Sequence, residues 1–67
     1  MFIEINEKIY SAYYIQTAEK VDEVVVDDQN NSTTIYKIVY YIVNGSCVEE
    51  SFNDETERND KYDSLLS

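Results

Sequence analysis

The groups in this 67-residue chain best able to do chemistry are its fourteen carboxylates and one thiol, Cys47. Histidine is absent, so no imidazole is at hand to activate the thiol. Thiolates are also favoured beside cations or helix N-termini, but the near neighbours of Cys47 are Glu49 and Glu50. Cys47 therefore reads as a buried or half-buried structural cysteine. Paired carboxylates can run glycoside hydrolysis or aspartic-protease chemistry, but such sites need a pocket, and a chain this short leaves little room for one. Adjacent acids such as Glu49 and Glu50 also point to opposite faces of a strand. Asp27-Asp28-Gln29-Asn30-Asn31 offers oxygen ligands without the alternation and central glycine of an EF-hand loop. A single glycine rules out a phosphate-cradling loop. The expectation is a protein without catalytic residues, metal or cofactor.

What the carboxylates can do is bind. Five basic residues leave a formal charge of −9, which disfavours nucleic acid and anionic membranes and favours a basic protein surface. The acids fall into two groups: Glu19, Asp22, Glu23, Asp27 and Asp28, then Glu49, Glu50, Asp54, Glu55, Glu57, Asp60 and Asp63, interrupted by Arg58 and Lys61. Alternate strand residues lie about 6.6 Å apart, and helical neighbours at i, i+4 about 5–6 Å apart. Rows of this kind imitate the charge repeat of a duplex. The candidate partner-binding surface is Asp22, Glu23, Asp27, Asp28, Glu49, Glu50, Asp54, Glu55, Glu57, Asp60 and Asp63. Its partner would be a basic DNA-binding protein whose DNA site the acids occupy. The plainer reading is a solvated acidic face that keeps a small protein soluble.

The elements that must position these acids are mostly strands. Ile3 and Ile5 alternate with Phe2 and Glu4, polar Asn6-Glu7-Lys8 turns the chain, and a second short strand runs from Ile9 to Ala12. Tyr13-Tyr14-Ile15 continues the β character; Gln16 to Glu23 is ambiguous, since Ala18, Val21 and Val25 have helical spacing, but with the β-prone Val24-Val25-Val26 it reads mostly as strand. After the loop Asp27–Ser32 comes the clearest strand, Thr33 to Val43. Asn44-Gly45 suits a two-residue type I′ turn into a strand from Ser46 to Phe52. Beyond it, Ser51 or Asn53 can cap a helix whose Tyr62, Leu65 and Leu66 share a face. The expected fold is a single α+β domain over 1–67: a small antiparallel sheet of four to five strands, with 53–67 a polar helix or partly frayed tail.

Sixty-seven residues bury only about 60% of the surface exposed when unfolded, and a lone cysteine forms no internal disulfide. On the long strand, Tyr36, Ile38, Tyr40 and Ile42 share one side, and Ile35, Val39, Tyr41 and Val43 the other. A strand apolar on both faces is normally covered on both. Either the sheet curls on itself with the tyrosines as core, or a second copy covers it through Tyr36, Ile38, Tyr40, Tyr41 and Ile42, giving a homodimer. Lys37 reads as a snorkelling residue at a rim. No basic leader or long apolar run appears, so the expected location is the cytoplasm.

A small, tyrosine-rich, acidic, histidine-free chain with a β-hairpin and an acidic tail resembles the DNA-mimic proteins encoded by bacteriophages. In size and character it is most similar to phage inhibitors of the bacterial histone-like protein HU. The resemblance implies a cytoplasmic homodimer in a bacterial host whose acidic surface occupies the HU DNA site. Overall character carries it, not a motif, so no individual residue is transferred. The alternative is a small structural or adaptor protein assembling through its tyrosine-rich sheet.

Overall fold

Asn6 and Glu7 both adopt positive φ, 54° and 68°, the signature of a two-residue type I′ turn. They fold strand β1 (Phe2–Ile5) antiparallel onto β2 (Lys8–Ser11), pairing Ile3 with Tyr10 and Ile5 with Lys8. The computed structural model describes residues 1–66, and beyond this hairpin the chain does not continue as strand. Ser11 caps a 3₁₀ turn over Ala12–Tyr14, its Oγ accepting the Tyr13 N–H, and Tyr13 and Tyr14 point into solvent. The turn redirects the chain into β3 (Ile15–Val26), β4 (Ser32–Ile42), β5 (Cys47–Phe52) and helix α1 (Glu55–Leu65).

The two later turns share one construction. Asp27 N–H donates to the Asn31 carbonyl and Asn30 N–H to the Asp27 carbonyl; Ile42 N–H donates to Ser46 and Gly45 N–H to Ile42. In each the fourth residue alone takes positive φ, Asn30 at 63° and Gly45 at 96°. This is the three-residue hairpin loop, a type I turn followed by a left-handed residue. The type I′ turn expected at Asn44-Gly45 is therefore not formed. Asn44 instead accepts the Ser46 N–H and hydroxyl on its side-chain oxygen. Asp27 does the same for the Gln29 and Asn31 amides.

The fold is α+β as expected, but the five strands divide into a two-stranded sheet, β1-β2, and a three-stranded antiparallel sheet in the order β3-β4-β5. Ile38 and Tyr40 of the central strand and Ile5 of the first hairpin are fully buried, with Ile3, Ala18, Val48, Phe52, Tyr62 and Leu65 packed around them. Ile38 and Tyr40 thus belong to the protomer's own core rather than to a surface for a second copy, because the hairpin and helix already cover that face. Tyr36 and Ile42 are half-buried there, and Tyr41 is exposed on the opposite face. Of the three helix residues expected to dock together, Leu66 is the exception: it caps the helix and stays exposed. The cap at the other end is Asp54, not Ser51 or Asn53, and its carboxylate accepts the Glu57 N–H at 2.7 Å. Ser67, the end of the expected tail, lies outside the described residues. No helix among the described residues is long and apolar enough to cross a membrane.

β5 pairs with β4 only between Tyr36 and Tyr41. Farther out, β3 and β4 form a two-stranded arm that carries exposed Val24, Val25 and Val26 and extends the molecule to 44 Å.

A left-handed conformation costs an L-residue about 1–2 kcal/mol and costs glycine almost nothing. Glu7→Gly should therefore stabilise the fold by about 1 kcal/mol in urea denaturation. Gly45→Ala, in open space but at φ 96°, should destabilise it by a similar amount.

Candidate functional site

The acids are sorted by what the sheet and helix do with the cations. Arg58, on the inner side of α1, is buried with a side chain only 5% exposed. Its Nη1 donates to the Asp22 carboxylate at 2.8 Å and to the carbonyls of Val21 and Lys37 at 3.1 and 3.4 Å. Nε donates to Asn59, and the guanidinium lies 5.4 Å from the Tyr36 ring centroid. One turn on, Lys61 Nζ donates to the Glu4 carbonyl at 2.6 Å and to Glu50 at 3.3 Å. Glu50 also accepts the Tyr40 hydroxyl at 2.8 Å, and its side chain is 14% exposed. The sequence offers Asp22 and Glu50 for partner contact. The register places both on the helix side of the sheet, where each anchors a helix cation.

The opposite face is arranged around Lys37. It is not at a rim; it sits on the central strand and bridges Glu49 at 2.8 Å and Glu23 at 3.3 Å. Beside it the Tyr41 hydroxyl donates to Glu19 at 2.6 Å. Cys47 pairs across from Tyr41 and is exposed, contrary to the buried role expected of it. Asp27 and Asp28 stand at the tip of the arm, and the two Asp27 amide bonds hold its carboxyl below the usual carboxylate range.

That leaves the outer side of α1. Glu57, Asp60 and Asp63 recur every third residue, are exposed, and form no ion pair among the described residues. Asp54 and Glu55 extend the row to the helix start; the dipole favours Glu55 and Glu57 in the first turn, and Glu55 also lies 3.9 Å from the Arg58 guanidinium. Asp63 lies in the last turn, where the dipole disfavours an anion and no basic residue compensates. In sequence, Glu57 and Lys61 form the i, i+4 order that pairs best on a helix surface; the fold turns Lys61 inward instead. The candidate residues are therefore not one surface. Asp54, Glu55, Glu57, Asp60 and Asp63 are brought together on the helix, Glu23 and Glu49 lie on the far face of the sheet, and Asp27 and Asp28 lie at the arm tip.

In the sequence Arg58 and Lys61 read as interruptions of an acidic run, whereas in the fold both point inward as anchors. The available signal was their spacing with Tyr62 and Leu65, since 58, 61, 62 and 65 follow the inward stripe of a helix. No family model, curated protein or solved structure matches this chain.

Truncating one partner of a buried ion pair leaves the other groups unsatisfied. Arg58→Ala should cost about 3 kcal/mol in urea denaturation, whereas Glu57→Ala on the outer face should stay within about 0.5 kcal/mol.

Alkali gives a second test. Burial, then the bond to Glu50, raises the Tyr40 hydroxyl above its ordinary range. Glu49, then Glu23, raises Lys37, and Glu19 raises Tyr41. Groups whose folded pKa is raised stabilise fully below their unfolded values, here 10.0 for tyrosine and 10.5 for lysine, and that stability is lost as pH rises through the folded values. Urea midpoints should therefore hold up to about pH 10 and fall above it, and fall less in Tyr40→Phe.

Proposed function

We propose that this protein is an acidic DNA mimic that binds a basic nucleic-acid-binding protein and blocks its DNA site. The observation that carries this reading is the outer stripe of α1. Three of the five cations are engaged within the protomer: Arg58 by Asp22 and Glu55, Lys61 by Glu50, and Lys37 by Glu23 and Glu49 on the far face of the sheet. The helix meanwhile keeps Glu57, Asp60 and Asp63 together without compensation, one of them at the wrong end of the dipole. Like charges at i, i+3 weaken a helix, so the stripe is held against local stability. Charge kept at a cost to the fold is the pattern of a binding surface. Basic side chains that would neutralise phosphates meet carboxylates on a rigid rod instead, and long-range attraction speeds their encounter.

The resemblance to phage DNA mimics makes bacterial HU the first target to test, with the bacterial cytoplasm as the setting. The same reading includes a homodimer, because two copies double the acidic surface. A second reading has its own support. Phe2 and Ile9 share the outer face of the first hairpin and are exposed, as is Tyr13, which suits an adaptor assembling through apolar contact.

Displacement of a labelled duplex from purified HU, followed by fluorescence anisotropy, separates the two. Mimicry predicts displacement at low salt that weakens steeply as salt rises. Glu57→Lys/Asp60→Lys/Asp63→Lys should abolish it while circular dichroism shows the fold retained. Reversal at Glu50 is not a fair test, because it breaks the fold's own ion pair. No displacement by the wild-type chain in dilute buffer, or undiminished displacement by the triple variant, defeats the proposal. Salt-insensitive self-assembly without displacement favours the adaptor.

A further inference from the structure

The outer edge of β3 pairs with no strand among the described residues, although β3 is the longest strand in the molecule. Its two ends are unlike. At one end Ile15 and Ala18 line an open apolar cleft of about 270 Å³, completed by Ile3, Tyr40, Tyr62 and Leu65. At the other, on the arm, Val24 and Val26 stand 64% and 57% exposed. Ala18, Val24 and Val26 lie on the same face of the sheet, because β4 pairs them with Tyr40, Thr34 and Ser32, all of one alternation. A strand with an apolar hollow at one end and exposed valines at the other is complementary to itself when reversed.

We infer that two copies of this chain pair antiparallel along the β3 edge, about a two-fold axis perpendicular to the sheet through Val21. In that register Lys20, which lies over the Tyr62 ring of its own copy, faces Asp22 of the second copy, which also holds Arg58, and the dyad makes this opposite-charge pair twice. Ala18 faces Val24 of the second copy, whose exposed arm is laid beside the cleft, and Thr17 faces Val25. The like-charge match of Glu19 against Glu23, which the dyad also makes twice, involves groups already engaged by Tyr41 and Lys37. Moving the axis by one residue sets Lys20 against Lys20 or Asp22 against Asp22, which directly opposed positions disfavour. An axis perpendicular to the sheet preserves its faces, so both copies of α1 lie on one side and their outer acidic stripes form a single surface. The inference extends the homodimer of the proposed function by placing its interface, and it does not depend on the identity of the target.

The test uses full-length protein, light scattering and one engineered cysteine. Cα atoms paired across an antiparallel ladder lie about 4.5–5.5 Å apart, within disulfide reach. Val21→Cys in a Cys47→Ser background should oxidise almost completely to a covalent dimer, and Lys20→Cys, off the axis, should not. Val24→Asp should shift the wild-type dimer to monomer with unchanged circular dichroism. A monomeric wild type at high micromolar concentration overturns the inference. So does a dimer that resists cross-linking through Val21→Cys, which would place the interface on another face. Neither result touches HU displacement, so the interface and the mimicry stand or fall separately.

Discussion

The buried guanidinium of Arg58 is the constraint on which the rest of this small structure depends. A charge in a dry setting is tolerated only when its donors are satisfied. Here a carboxylate, two strand carbonyls and the Asn59 side chain receive its N–H groups, while the Tyr36 ring lies against it. Those partners come from β3, β4 and α1, so one side chain fixes where the helix lies on the sheet. Lys61 repeats the arrangement one turn later by joining the helix to β5 and to the first hairpin. With three residues forming the fully buried apolar core among the described residues, polar anchors carry much of the tertiary definition.

The same anchors determine the electrostatics of the surface. Every cation drawn inward neutralises an acid on the sheet and removes a positive charge from the outside. An unfolded chain of this composition would scatter its five cations among fourteen acids. Folding segregates them, so the outer side of α1 is more uniformly negative than the sequence around it. Structural ion pairing and the proposed recognition are thus two results of one partition.

Turn chemistry controls the shape in a similar way. Two loops built on one pattern, with Asn30 and Gly45 as their left-handed residues, give long, regular hairpins. Because β5 is much shorter than β3, the β3–β4 ribbon projects past it and keeps an open edge. Small proteins usually blunt such an edge with charge or cover it. Glu19, Lys20, Asp22 and Glu23 place charge in the middle of β3, which restricts the registers in which another strand can pair there, while the valines on the arm add apolar surface.

Local preferences already specify the element types: alternation in Phe2–Ile5, the β-branched run from Thr33 to Val43, the hairpin around Asn44-Gly45 and the acidic start of the terminal helix. They are set by side-chain sterics and backbone hydrogen bonding within a few residues. The sequence also determines the excess negative charge and the outward and inward sets on β4. Tertiary structure alone decided that Asp22 and Glu50 are internal anchors, that Tyr40 is core and Cys47 exposed, and that the five strands form two sheets. Each of those outcomes depends on which segment packs over which face. The distribution of charge in space is a long-range property: Lys61 chose Glu50, eleven positions away, over the neighbouring Glu57, and only the docked helix made that bond available.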